Sequence, residues 1–247
     1  MQLLQDDVVL LAGATGRVGG PTLQATLREG ARVALLTRSA KRADETIARY
    51  GDEARSRILV IAGNLHSAAD GERAVRETVA HFGRLDGVAN LSGNGKFVAL
   101  SESTLDDFHL NIEGFAITNY NLILPSLRQM LAQSARPNTR SRGRLVTVTA
   151  GSSRTPQPNF GLMGAAKAAV NTFMLAVARE HKADGIVANA LVLGGVATEA
   201  AKAYLDADSF AAASTPEEVG DALVFLLSDS ASGINGALID HNAREVD

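Results

Sequence analysis

Val8-Val9-Leu10-Leu11-Ala12-Gly13-Ala14-Thr15-Gly16-Arg17-Val18-Gly19-Gly20 decides how this chain is read. An apolar run leads straight into glycines at every third position, Gly13, Gly16 and Gly19. A strand buried on both faces of a parallel sheet reads as such an unbroken run. Glycines after it let the chain turn tightly, let backbone approach a pyrophosphate, and let the next helix pack against the strand. A helix over 19–28 then turns its free N-terminal amides toward the phosphates. A second apolar run, Arg32–Thr37, completes the unit. The stretch predicts a dinucleotide-binding turn, with Gly13, Thr15, Gly16, Arg17, Val18 and Gly19 as candidate contacts.

The same alternation continues outward. Apolar runs recur at 32–37, 58–63, 86–91, 144–149, 186–193 and 236–240. Helical patterns lie between them at 19–28, 39–50, 67–82, 103–133, 160–183 and 216–228. Right-handed βαβ units of this kind predict a parallel sheet of seven strands with helices on both faces. The expected fold is a single α/β domain over 1–247, Rossmann-type and doubly wound. Ligands of such sheets bind beyond the carboxyl ends of the strands. That edge collects the glycine loop, Asn90, the 149–153 region and 193–198.

Bulk properties narrow the function. Net charge is −3, which gives no electrostatic case for a nucleic-acid partner. Aromatics make up 4% and Trp is absent, so base-stacking platforms are not expected. With no cysteine there is neither disulfide nor thiol nucleophile, and a cytoplasmic setting is compatible. The first residues lack a basic and apolar leader, and no segment is expected to span a membrane. The five histidines are dispersed, so no metal site is expected. The arginine-rich segment 133–143 reads as a solvated loop.

Several further stretches carry a resemblance. Gly83–Gly93 contains Asn90-Leu91-Ser92-Gly93 after a strand, and Leu110-Asn111-Ile112-Glu113-Gly114 lies in a helix. Gly164-Ala165-Ala166-Lys167 opens another helix, and Gly194-Gly195-Val196-Ala197-Thr198 follows a strand. In order and spacing these resemble the short-chain dehydrogenase/reductase family over nearly the whole chain. The resemblance implies a nicotinamide cofactor held by the glycine loop, by Asn64 and Leu65, by Asn90, Ser92 and Gly93, by Lys167, and by Gly194, Val196 and Thr198. It implies catalytic roles for Asn111 and Lys167. It also implies a homodimer or homotetramer formed through the helices at 103–133 and 160–183, where Ala165, Ala166, Ala168, Ala169 and Ala176 permit close approach.

The departures are as informative. The glycine spacing is that of extended and atypical members, and Arg17 stands where a glycine is usual. An acidic residue after the second strand binds ribose hydroxyls in NAD sites, whereas a basic one accommodates a 2′-phosphate. Arg38 stands there and 37–42 contains no acid, so NADP is the expected cofactor. Ordinary members protonate the product with a Tyr four residues before the Lys, assisted by a Ser. Here those positions hold Met163 and Ala150. Around Lys167 the chain also resembles enoyl-acyl-carrier-protein reductases, whose Tyr lies seven residues before the Lys; that position holds Phe160. Neither a thioether, a methyl nor a phenyl ring can give up a proton. Thr149, Ser152 and Ser153 are nearby hydroxyls that read first as turn formers. Tyr120 and Tyr204 match no motif and read as packing or surface residues. The segment between Thr198 and Ser214 is short for a substrate lid, so the pocket is expected to be open or small.

Two functions follow from this reading. One is an NADP(H)-dependent oxidoreductase acting on a small carbonyl or conjugated enoyl substrate from a degenerate site. The alternative is an inactive NADP(H)-binding protein serving as a sensor or a partner subunit.

Overall fold

The computed structural model describes residues 2–137, 139–203 and 205–241, so Tyr204 lies outside the described residues. Strands β1 (Val8–Ala12), β2 (Arg32–Thr37), β3 (Ile58–Ala62), β4 (Gly87–Asn90), β5 (Gly143–Ala150), β6 (Ile186–Leu193) and β7 (Leu238–His241) form one parallel sheet. Their order is β3-β2-β1-β4-β5-β6-β7. The chain builds outward from β1, then returns to its other side at β4. The crevice of a doubly wound sheet opens at such a reversal. Here Gly13 and Leu91 sit at its lip.

Helices α1 (Gly19–Arg28), α2 (Ala40–Ile47), α3 (Asp52–Arg55), α4 (Ala68–Phe82), α5 (Leu105–Asn111), α6 (Thr118–Ala132), α7 (Gly161–Glu180), α8 (Ala207–Ala212) and α9 (Pro216–Leu227) join the strands. Strand side chains alternate between faces, and so two cores form. Val9, Leu11, Val33 and Leu35 pack with Leu23, Val219 and Leu223 of α1 and α9. Leu10, Leu36, Val88 and Leu145 pack with Leu122, Met130, Val170 and Met174 of α6 and α7. The local signals agree with the outcome. Ser39, Ser67, Thr104 and Thr215 cap their helices, and Thr104 with Asp107 and Thr215 with Glu218 form capping boxes.

Five expectations need correction. The helix at 103–133 is interrupted by a π-helix over Ile112–Ile117. Gly114 lies there with the Asn94 carbonyl where a Cβ would stand, and one extra residue in the turn accommodates that approach. The helix at 39–50 stops at Ile47, and the last strand begins at Leu238 rather than 236. The arginine segment is not simply solvated. Arg136 pairs with Asp7, Arg142 donates to Leu131 O at 3.0 Å, and the Arg140 amide donates to Asp229 at 2.9 Å. Beside them Arg144 is fully buried, with Nη1 on Asp7 at 2.9 Å and Nε on Ser141 at 2.9 Å. Finally, α7 has 20 residues and a window of mean hydropathy 1.4, long and apolar enough to cross a bilayer by those measures. Its apolar character is accounted for by packing against β5 and β6.

Candidate cofactor cleft and active site

Gly13 turns the chain out of β1 with φ +83°, a conformation open to glycine at little cost. A Cβ on Gly13 would stand 2.7 Å from Leu91 C and Ser92 N, so the loops after β1 and β4 touch through this residue. The Gly16 amide donates to Gly13 O at 3.0 Å and closes the turn. A Cβ on Gly19 would overlap Gly13 O, and the start of α1 therefore lies against the loop it follows. This is the cradle that a pyrophosphate requires: backbone without side chains, at a helix N-terminus.

A cleft of about 220 Å³ opens over this loop. Of the candidate cofactor contacts, the structure brings Gly13, Thr15, Gly16, Arg38, Asn64, Leu65, Ser92 and Gly93 together around it. Sequence reasoning missed Ser39, Arg42, His66, Asn94 and Thr118, which also line it. Arg42 was legible, being four residues beyond Arg38 at the start of the next helix. Among the described residues no Asp or Glu belongs to the lining. Leu65 is buried, and the Asn64 side-chain oxygen accepts from the His66 amide at 3.2 Å, leaving its NH₂ to the cleft. Asn90 is buried as well. Its Oδ1 accepts from the Ser92 amide at 2.9 Å and hydroxyl at 2.5 Å, while its Nδ2 has no partner. An orphaned buried donor beside a glycine cradle suits a nucleotide ligand.

Other predicted residues lie outside this lining. Arg17 is exposed, and its charge contributes, after the dominant Lys202, to holding the Glu199 carboxyl below its usual range. Val18 precedes α1, and Gly19 is buried beneath the loop. Gly194, Val196 and Thr198 follow β6. There Val196 bridges Ser214, and the Thr198 amide donates to Val196 O at 2.7 Å. Those contacts pin the base of the segment that carries a short turn (Glu199–Ala203) and α8.

The second centre lies one ring away. Gly93 and Gly95 both press on the Phe115 ring, where a Cβ on either would come within 2.6 Å of it. Lys167 Nζ sits 4.9 Å from the centroid of that ring. Among the described residues no carboxylate pairs with Lys167, and burial alone lowers its pKa from 10.5 to about 8. Asn111 is fully buried. Its Nδ2 donates to Asp107 O at 2.8 Å and Lys96 O at 3.3 Å, and its Oδ1 has no partner. Lys96 pairs with Asp107 at 2.8 Å, which with the Thr104 amide holds that carboxyl below its usual range.

The acid positions are apolar in the fold as in the sequence. Met163 is buried one turn before Lys167, and Ala150 ends β5. Phe160 caps α7 and its ring lies 4.8 Å from Phe97, the two planes at 39°. Of the alternative hydroxyls, Ser153 behaves as a turn former, donating to Ala150 O at 2.6 Å and accepting from Asn171 at 2.8 Å. Thr149 and Ser152 are buried with hydroxyls that find no partner. Tyr120 is half exposed, its ring 6.0 Å from Phe173.

The profile of a family described as Enoyl-(Acyl carrier protein) reductase matches residues 13–243. The chain belongs to the short-chain dehydrogenase/reductase family. Members bind a nicotinamide cofactor. Among its relatives, a hydroxynaphthalene reductase of Aspergillus fumigatus is 26% identical over 94% of this chain and 90% of its own length. A 3-oxoacyl-[acyl-carrier-protein] reductase of Synechocystis is 26% identical over 94% of this chain and 93% of that one. In fold, a short chain dehydrogenase from Salmonella enterica superposes with a TM-score of 0.86 at 22% identity, covering 97% of both chains.

Proposed function

We propose that residues 1–247 form one nicotinamide-binding domain, and that the protein is an NADP(H)-dependent reductase of a small carbonyl or conjugated enoyl compound working without the family's tyrosine. The observation that carries this reading is a glycine-cradled cleft lined by Arg38 and Arg42 and by no carboxylate. Two guanidinium groups suit a 2′-phosphate, and a missing acid removes the usual partner of free ribose hydroxyls. In this reading the amides of the loop from Gly13 to Gly19 hold the pyrophosphate, with Thr15, Arg17 and Val18 beside it. Asn64 and Leu65 flank the adenine. Asn90, Ser92 and Gly93 hold the middle of the cofactor. Gly194, Val196 and Thr198 close over the nicotinamide. Lys167 holds the ribose and meets negative charge at the substrate, and Asn111 braces the loop at Lys96. When bound, the cofactor supplies a hydride to the substrate. The names of the two relatives and of the matching family, all reductases, support reduction as the direction.

The α6–α7 face supports a homodimer or homotetramer. Tyr120, Phe173 and Ala176 line an apolar groove there with Ile123 and Val177. Ala165 is exposed on α7, whereas Ala166 is buried toward the chain's own core.

Calorimetry with NADPH and NADH tests the cofactor assignment. NADPH is expected to bind at least about tenfold tighter, and Arg38→Asp to abolish the preference. Equal affinities would refute it. The apolar residues at 150 and 163 favour the second reading, a cofactor-binding sensor or partner without turnover. Installing the acid with Met163→Tyr and Ala150→Ser separates the two. A positioned acid is worth a factor of about 10² or more, so ketone reduction should rise by that much if the pocket is intact. A folded, NADPH-binding double variant without any gain would favour the sensor.

A further inference from the structure

Lys167 and the rings around it restrict what the site can reduce. The positions that would deliver a proton to the product oxygen are a buried thioether, Met163, and a methyl, Ala150. Hydride addition to an isolated ketone leaves a localised alkoxide, a base so strong that a proton must arrive with the hydride. Nothing at 150 or 163 brings one. Hydride addition to the β-carbon of a conjugated carbonyl leaves an enolate, whose charge is spread over oxygen and carbon. A cation nearby and slower protonation are then enough.

The walls of the site are aromatic and flat. Phe97 is 50% exposed although its ring meets Phe160 at 4.8 Å. The two loops that carry these rings are tied together, the Val98 amide donating to Asn159 O at 3.1 Å. Leu100, 69% exposed, extends the same apolar rim and approaches the start of α7 near Gly161. Phe160, Met163 and Lys167 lie on one face of α7, at intervals of three and four residues. Phe115 closes the circuit, packed against Gly93 and Gly95 and with Lys167 Nζ 4.9 Å from the centroid of its ring. An exposed ring stacked on Phe160 at the start of α7, with an ammonium against Phe115 two turns further along that helix, suits a flat ligand that becomes anionic.

Resting on the reductase reading above, we infer that the substrate is a planar ring-conjugated enone, of which a 1,4-quinone is the fully conjugated case. Its face lies against Phe97 and Phe160, and Lys167 Nζ meets the enolate. The step balances with a reduced nicotinamide dinucleotide as the two-electron donor. A C–H bond of the donor breaks and a C–H bond forms at the β-carbon of the enone. The electron pair of the C=C bond moves toward the carbonyl oxygen. The Lys167 ammonium keeps its proton and meets the charge on the enolate oxygen, and the enolate then takes a proton from solvent. The donor is oxidised and the enone reduced.

The test compares 1,4-naphthoquinone with 1-decalone, a saturated bicyclic ketone, at saturating NADPH. A second measurement without turnover titrates the NADP⁺-loaded protein with 1-naphthol. The naphthoquinone should be preferred by about 10² or more in kcat/KM, the advantage an absent acid denies to the ketone. Phe97→Ala should weaken naphthol binding and raise the naphthoquinone KM about tenfold or more, while Phe97→Tyr retains both and NADPH binding is unchanged. Phe97 is on an exposed loop, so neither substitution threatens the core. Decalone reduced as well as the quinone would overturn the inference and leave the reductase reading standing. So would naphthol affinity indifferent to Phe97→Ala, or NADPH binding with neither compound reduced. Failure to bind NADPH at all would overturn the reductase reading, and this inference with it.

Discussion

Replacing Lys167 by methionine should make the protein more stable at neutral pH. The ammonium lies over the Phe115 ring with no carboxylate among the described residues to offset its lost hydration. Burial brings its pKa from 10.5 to about 8. At about 1.36 kcal/mol for each pH unit, that fall corresponds to an upper bound of about 3 kcal/mol of strain against the folded state below pH 8. The side chain keeps some contact with solvent, and Met would forgo a cation–π contact worth about 1 kcal/mol, so the net gain should be about 1–2 kcal/mol. The sign follows from proton counting. Between about pH 8 and 10.5 the folded protein has released this proton and the unfolded chain still holds it. Where the unfolded state binds more protons, stability rises with pH. The penalty is therefore full below pH 8 and fades as pH climbs toward 10.5. Urea unfolding of both proteins at pH 7 and pH 10 measures it. The variant should lead at pH 7, and the gap should narrow at pH 10. A variant no more stable than wild type at pH 7, or a gap indifferent to pH, would refute the claim that Lys167 is held desolvated and unpaired.

Asp7→Asn should cost about 3–5 kcal/mol in urea unfolding, because it leaves the fully buried Arg144 guanidinium without its carboxylate. Asp7→Asn combined with Arg144→Met should recover much of that loss, since the orphaned charge is then gone. Gly19→Ala should abolish NADPH binding in calorimetry, because its Cβ would occupy the place of Gly13 O and spread the loop from the helix; a variant of unchanged affinity would show that the loop does not hold the cofactor. Phe173→Glu should shift the protein to monomer in light scattering if the α6–α7 groove is the contact between copies.

Periodicity carried the fold because its signals are local. Val8–Ala12 is unbroken and apolar since helices cover both faces of its strand, and Thr215-Pro216-Glu217-Glu218 announces α9 by satisfying its own first amides. The glycine loop was legible for the same reason: Gly13 and Gly19 answer to contacts within a few residues, apart from the approach of Leu91 and Ser92. What sequence could not give depends on partners far along the chain. The π-helix at Ile112–Ile117 contains Gly114, which the Asn94 carbonyl approaches from a loop about 20 residues earlier. The arginines of 133–143 read as solvated because their partners, Asp7 and Asp229, are 129 and 89 residues distant. Lys167 was legible as a residue type, but its environment was not. The Phe115 ring near it stands on the π-helix and packs against a loop whose two glycines, Gly93 and Gly95, no periodicity marks.

That environment bears on whether the site works. Packing alone does not call for an ammonium over Phe115; a methionine there would fill similar space and avoid the cost of desolvation. Asn111 raises the same question. Its Nδ2 is committed to Asp107 O and Lys96 O, yet its Oδ1 is left buried without a donor. The two groups are related: Asn111 Oδ1 is buried without a donor and the partly buried Lys167 has no carboxylate partner among the described residues. A protein that only stored a cofactor would use Lys167 at the ribose but would have no need of the open Asn111 Oδ1, because the lining of the cleft is built from Gly13, Arg38, Asn64 and Ser92 without it. Perturbed groups gather where chemistry is done, since a ligand or transition state supplies the missing partner. The thioether and methyl at 163 and 150 remove an acid, but the unpaired lysine beside them retains a charge with something to meet. A reaction whose product anion is stabilised by conjugation and by that charge reconciles the two, and it places the emptied positions within the design of the site.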